Sequence, residues 1–330
     1  MTPGQRLVPG RRRTTLTVLA ILVIMAVAGL AGCQSSGSSS APPSSGGPVI
    51  VAAGDIACGP TDHPQLNNDT SSEVSVCRQM ATGNLIQKIH PAAVLELGDN
   101  QYPVGRYKSY ERYYGPSWGR FDSISHPVPG NHEYLSRDAN GYYSYFGTAA
   151  GDPSRGYYSY DLGHWHLIAL NAQCEFIGGC SPGSAEERWL AADLRQHPAA
   201  CVLAYWHQPR FSSGQHGNEP VYDAFWRDLF AAHADVVLNG HDHDYERFAP
   251  QDPSGHADPS GIREFVVGTG GKSHYRFKTI KPNSVVRNDT ASGVLVMTLH
   301  PDGFSWRFES VDGSFQDSGN ARCHGAGGGK

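Results

Sequence analysis

The sequence predicts an α/β domain built on a mixed sheet. Through the first two thirds of the chain, short apolar runs alternate with helical patterns, as β-α-β units do. Later runs alternate like antiparallel strands. Several apolar runs also close on Gly-Asp, Gly-His or a lone His, where open α/β sheets place their ligands.

Taken in order, Val49 to Ala53 is a buried-strand run ending at Gly54-Asp55. Glu73 to Ile89 has helical spacing, with Val74, Cys77, Leu85, Ile86 and Ile89 on one side. Ala92 to Leu97 is a strand ending at Gly98-Asp99, and His126 to Val128 leads into Gly130-Asn131-His132-Glu133. Trp165 to Leu170 is a further apolar strand. Ser184 and Glu187 form a capping box before a helix to about His197. Cys201 to Trp206 is a strand ending at His207, and Pro220 opens a helix to about His233. Val236 to Leu238 ends at Gly240-His241, and Phe265–Val267, Val294–Leu299 and Phe304–Phe308 follow as strands.

The 330 residues are 39% hydrophobic and 17% charged, enough apolar content for a core and against wholesale disorder. The apolar, uncharged stretch from Leu16 to Leu30 follows Arg6, Arg11, Arg12 and Arg13, the layout of an export signal. It closes on Leu30-Ala31-Gly32-Cys33, which resembles the lipobox of bacterial lipoproteins. That resemblance implies cleavage after residue 32, lipid on Cys33 and an exported, bacterial cell-surface protein anchored to the membrane. A plain signal peptide or an uncleaved anchor is the alternative. Residues 1–32 then form the signal, 33–48 a Ser/Gly/Pro-rich tether, 49–324 the domain and 325–330 a flexible tail. Removing 1–32 takes away four arginines and no acid, moving the formal charge from −5 to −9. An acidic exported chain with no basic run argues against nucleic acid as a partner. Beside Cys33 stand six cysteines, an even number that suits three disulfides. Spacing does not choose among the connectivities; the pairing expected is Cys58–Cys77, Cys174–Cys180 and Cys201–Cys323.

The chemistry lies at the strand ends. His241 and His243, two apart, can bring both imidazoles to one small volume, although such a pair alone is equally read as surface histidines. Asp55 and Asp99 alone read as turn or cap residues. Jointly, Gly54-Asp55, Gly98-Asp99-Asn100-Gln101-Tyr102, Gly130-Asn131-His132-Glu133, Ala204-Tyr205-Trp206-His207 and Gly240-His241-Asp242-His243 close five strand-like runs. Asp, Asn and His together can supply two adjacent metal ions, with a carboxylate between them.

That series resembles the calcineurin-type metallophosphoesterases and, within them, the purple acid phosphatases, over about residues 49–310. The second, third and fifth motifs match completely; Ala57 and Ala204 depart from the first and fourth at positions that carry no ligand in the family. Many metallophosphoesterases place a ligating histidine where Ala57 stands. Purple acid phosphatases compensate with the tyrosine of the second motif, and Tyr102 is present. The resemblance implies a four-layer αββα sandwich with two mixed sheets. It assigns Asp55, Tyr102 and His243 to Fe(III), Asn131, His207 and His241 to a divalent Zn, Mn or Fe, and Asp99 to a bridge between them. It implies a small phosphoester substrate, attacked at phosphorus by a metal-bound hydroxide in line with the leaving group, with phosphomonoesters as the first expectation. A phosphodiesterase or nucleotidase is the alternative on the same site, and a non-catalytic surface binding protein the alternative outside catalysis. His132 takes the place of an outer histidine beside the leaving group, and His216 resembles a second, against the plain reading of an exposed loop histidine. Arg210 reads as a surface residue, with contact to substrate phosphate the alternative, His164 and His166 as structural or exposed, and Gly268 to Gly271 as a turn near the site. The tyrosines of 102–160 are read as packed core or substrate-facing rim.

Overall fold

Apolar residues alternate between two destinations along the central strands, and this alternation defines the layers. In Cys201–Tyr205, Cys201, Leu203 and Tyr205 join one buried cluster, while Val202 and Ala204 join another. Trp165–Ala169, Val236–Asn239 and Arg263–Val267 divide their side chains in the same way. With a side-chain period of two, each strand therefore has both faces covered, as in parallel α/β sheets.

The computed structural model describes residues 46–59 and 77–327; the signal, Cys33 and nearly all of the tether lie outside them. The strands are β1 (Val49–Ala53), β2 (Ala93–Leu97), β3 (Ser125–Val128), β4 (Tyr158–Leu162), β5 (Trp165–Ala169), β6 (Cys201–Tyr205), β7 (Val236–Asn239), β8 (Tyr245–Phe248), β9 (Arg263–Val267), β10 (Ser284–Asn288), β11 (Gly293–His300), β12 (Gly303–Ser310) and β13 (Gln316–Arg322). The helices are α1 (Gln79–Ile89), α2 (Tyr107–Ser109), α3 (Asn131–Tyr134), α4 (Asn140–Phe146), α5 (Ala185–Gln196) and α6 (Asp223–Ala231).

Two sheets form, ordered β13-β12-β11-β1-β2-β3 and β10-β8-β9-β7-β6-β5-β4. Both are mixed: β1, β2 and β3 run parallel, as do β5, β6, β7 and β9, while the outer pairs are antiparallel. The sheets pack face to face over the larger cluster, to which β1, β2, β11 and β12 contribute from one side and β5, β6, β7 and β9 from the other. Leu190 of α5 and Phe225, Trp226 and Leu229 of α6 cover the outer face of the second sheet. The expected sandwich of two mixed sheets is therefore the fold.

Four details differ from expectation. Within the described residues the first helix starts at Gln79, after Cys77. Ser184 caps α5 by accepting from Glu187 N at 3.3 Å, but the Glu187 carboxylate accepts from Gly183 N, so the capping box closes one residue early. Pro220–Tyr222 is a 3-10 turn before α6. Across the boundary expected after residue 324, His324–Gly327 forms one 3-10 turn. Most tyrosines of the 102–160 region pack: Tyr110, Tyr114 and Tyr142 are fully buried, while Tyr107 is exposed. The three disulfides are Cys58–Cys77, Cys174–Cys180 and Cys201–Cys323, as expected.

Candidate metal centre

The parallel strands of both sheets deliver their C-terminal ends to one place. Asp55 follows β1, Asp99 follows β2, Asn131 opens α3 just after β3, His207 follows β6, and His241 and His243 follow β7. Asp55, Asp99 and His241 have φ of 60°, 49° and 71°, a region that non-glycine residues seldom enter and that clusters at functional sites. Gly98, at φ 83°, makes the turn before Asp99, and a Cβ there would lie 2.6 Å from His207 Nδ1. Gly240 has the same reason: its Cβ would sit 2.8 Å from Asp55 Oδ2.

The side chains meet. Tyr102 Oη lies 2.7 Å from Asp55 Oδ1, 2.9 Å from Asp99 Oδ2 and 3.0 Å from His243 Nε2. His243 Nε2 is 3.2 Å from Asp55 Oδ1, and His207 Nε2 is 3.3 Å from Asp99 Oδ2. His241 Nδ1 lies 3.3 Å from His207 Nε2. Asp99 thus stands between an Asp55–Tyr102–His243 group and a His207–His241 group. Asn131 is bracketed by residues that meet Asp99: His132 N donates to Asp99 Oδ1 at 2.9 Å, and a Cβ on Gly130 would collide with the same carboxylate. The Asn131 Oδ1 atom is buried with no hydrogen-bond partner. Backbone carbonyls fix the histidines from behind: Leu97 O at 2.8 Å from His207 Nδ1 and Ser273 O at 2.5 Å from His243 Nδ1.

This donor set fits metal ions. Two carboxylates and a phenol share a buried space, and the orphaned Asn131 oxygen costs free energy unless a cation or donor meets it. Burial followed by the charges of Asp55 and Asp99 raises the Tyr102 pKa well above 10, so a tyrosinate there needs a strongly positive ion. Burial opposes ionisation of Asp99, but His207 and His132 outweigh it and hold the carboxylate below its usual range. Burial also works against a charged His207, yet Asp99 raises its pKa to about 9. Burial, His207 and His216 lower His241 to about 3, leaving a neutral imidazole, the form that binds metal. Asp99, His207 and His241 each offer a ligand atom within 4.8 Å of the others.

Two histidines flank the group. His132 Nδ1 lies 2.6 Å from Pro103 O, and its Nε2 is 3.8 Å from Asp99 Oδ2. His216 stacks near His241, with ring centroids 4.1 Å apart, and its Nδ1 is 2.9 Å from Asp242 Oδ1. Asp242 is a residue that sequence reasoning passed over. It is fully buried, accepts from His216 N at 2.8 Å and takes the Ser212 hydroxyl on its other oxygen. Glu133 was equally silent: its carboxylate accepts from Gly130 N at 2.8 Å, Gln101 N at 3.2 Å and Tyr110 Oη at 2.9 Å, tying two site loops together. Lys272 Nζ sits 5.0 Å from the centre of the Tyr102 ring. Arg210 pairs with Asp223 and lies over Phe211; its side chain is 11% exposed, so it is packed into the protein and not the surface residue the sequence suggests. His166 is buried, the structural arm of its reading.

Comparison with known proteins agrees with this geometry. The family model for calcineurin-like phosphoesterases matches residues 49–245. Purple acid phosphatase 15 of Arabidopsis thaliana is 32% identical over 174 residues, which is 47% of this chain and 32% of that protein, so the match spans about a third of the relative's length. Purple acid phosphatase PPD1 from yellow lupin (Lupinus luteus) superposes with a TM-score of 0.65 at 18% identity, covering 86% of this chain and 55% of the other. GAP50, described as the anchor in the inner membrane complex of Plasmodium, has a TM-score of 0.59 at 14% identity, covering 83% and 88%. With strand-end carboxylates, histidines, asparagine and tyrosine gathered on a two-sheet sandwich, and a family model spanning most of the domain, the chain belongs to the calcineurin-like phosphoesterases.

Proposed function

We propose that the protein is a dinuclear metal-dependent phosphoester hydrolase of the purple acid phosphatase type, acting on a small phosphomonoester. The observation that carries this is the meeting of Asp55, Asp99, Tyr102, His207, His241 and His243 around a shared volume, beside the unpaired oxygen of Asn131. Asp55, Tyr102 and His243 would hold Fe(III). Asn131, His207 and His241 would hold a divalent Zn, Mn or Fe, and Asp99 would serve both. When bound, such a pair supplies positive charge against phosphate oxygens and acidifies water.

The remaining work falls to the chain. His132 Nδ1–H donates to the Pro103 carbonyl, which orients the ring and leaves Nε2 to face the leaving oxygen; in the imidazolium form Nε2 would give that oxygen its proton. Asp242 orients His216 in the same way through Nδ1, so that in the imidazolium form Nε2–H would donate to a phosphate oxygen. GAP50 has this fold and is described as an anchor, so the fold by itself does not carry the assignment; the complete donor set does. Export and lipid attachment at Cys33 belong to the same proposal, supported by the sequence ahead of the domain.

The test is hydrolysis of p-nitrophenyl phosphate against bis-p-nitrophenyl phosphate by the chain purified without chelator. Faster turnover of the monoester is expected. Preference for the diester would assign a phosphodiesterase, and no turnover by a folded, metal-loaded chain would move the site to a binding role.

A further inference from the structure

Away from the strand ends, the outer face of the second sheet carries another set of ligating side chains. Asp161 on β4 and His166 on β5 sit directly opposite each other in the antiparallel pair. His166 is 1% exposed, with Nδ1 2.7 Å from Asp161 Oδ1 and Nε2 2.8 Å from Asp193 Oδ2. Asp193, in the last turn of α5, also accepts from Ser159 Oγ at 2.8 Å. His197, the residue that ends α5, lays its ring parallel to His166 with centroids 4.8 Å apart. Asp161, His166 and His197 each offer a ligand atom within 4.8 Å of the others. A cavity of about 210 Å³ opens beside them, lined in part by Asp161, His164 and His197.

We propose that Asp161, His166 and His197 form a further site for a divalent transition metal, zinc by its donor chemistry, separate from the dinuclear centre. Two imidazoles and a carboxylate are a zinc-type set, and the fourth position of the tetrahedron falls to water from the cavity. Asp193 supplies the outer carboxylate that metal-binding histidines use: it receives Nε2–H and leaves Nδ1 for the ion. Asp161 is 68% exposed and His197 46%, so both can adjust. His197 must turn out of its parallel stack to place a nitrogen on the ion. An ion here ties β4, the edge strand of the second sheet, to the end of α5.

The test compares the full chain with Asp161→Asn and His197→Ala, each equilibrated at one free zinc concentration. Zinc per chain is counted by mass spectrometry, and thermal unfolding is followed with and without zinc. Each variant is expected to hold one zinc fewer than the wild type and to lose part of the zinc-dependent rise in Tm, with p-nitrophenyl phosphate turnover unchanged. Equal zinc counts in all three chains would overturn the proposal and leave the cluster as a carboxylate–histidine–carboxylate bridge. The count does not depend on turnover, so a chain inactive on every phosphoester would contradict the hydrolase assignment and leave this result standing.

Discussion

Asp242 lies between two candidate ligands in sequence, yet its carboxylate serves the 210–216 loop. It receives His216 N and Nδ1 and the Ser212 hydroxyl, while buried Glu264 and Glu246 accept from Phe211 N at 3.3 Å and Ser213 N at 2.8 Å. Three buried carboxylates therefore set where His216 stands. Asp242→Asn and His216→Ala are each expected to lower kcat on the order of 10- to 100-fold, with metal content kept. The double variant should be no worse than the single ones, because both remove one unit. Additive losses in kcat would contradict that coupling. The candidate ligands were legible in the sequence because they close apolar runs, most at a Gly turn and His207 directly after its strand. Asp242 and Glu133 were not, because Ser212 and His216, and Gln101 and Tyr110, lie 23 to 32 positions away and only the fold brings them together.

Among the elements, β2 shows how a polar residue is tolerated in a buried strand. Glu96 is fully buried and accepts from Tyr114 Oη at 2.6 Å and Ser125 Oγ at 2.8 Å, joining β2 to the helical segment after α2 and to β3. Burial pushes its pKa from an ordinary 4.5 up to about 8, against the pull of those two hydroxyls. Between these values the folded chain keeps a proton that the unfolded chain has lost. Its contribution is therefore present in full below the lower value and is lost as pH rises toward the upper, at about 1.4 kcal/mol per pH unit. Glu96→Gln removes this slope, so its Tm relative to wild type should be higher at pH 8 than at pH 5. An equal difference at both pH values would contradict the assignment. The central strands β1, β2, β5, β6 and β7 were legible because they are buried on both faces and nearly all apolar. β4, β10 and β13 were not: they carry sequences such as YSYDL, SVVRN and QDSGNAR at the sheet edges, where neighbours and not apolar content make the strand. The short helices of 107–146 were missed for a similar reason, since their packed tyrosines follow no single helical stripe.

For the whole molecule, two sheets meet so that strand ends from both face one cluster. Asp55 and Asp99 come from the first sheet and His207, His241 and His243 from the second, so the donor set forms only when the sandwich is assembled. The sandwich was legible through its motif series, whereas the disulfide pairing was not deducible from spacing, since Cys201 and Cys323 are 122 residues apart. Asp99 is where both halves of the centre touch, and it carries the account. The most direct measurement is metal content, taken together with p-nitrophenyl phosphate turnover, for the wild type and Asp99→Asn. The expected result is two ions per chain at the strand ends and turnover in the wild type, with at least one of those ions and all detectable turnover lost in the variant. A fully active Asp99→Asn chain with the wild-type metal content would contradict the two-metal centre built around this residue.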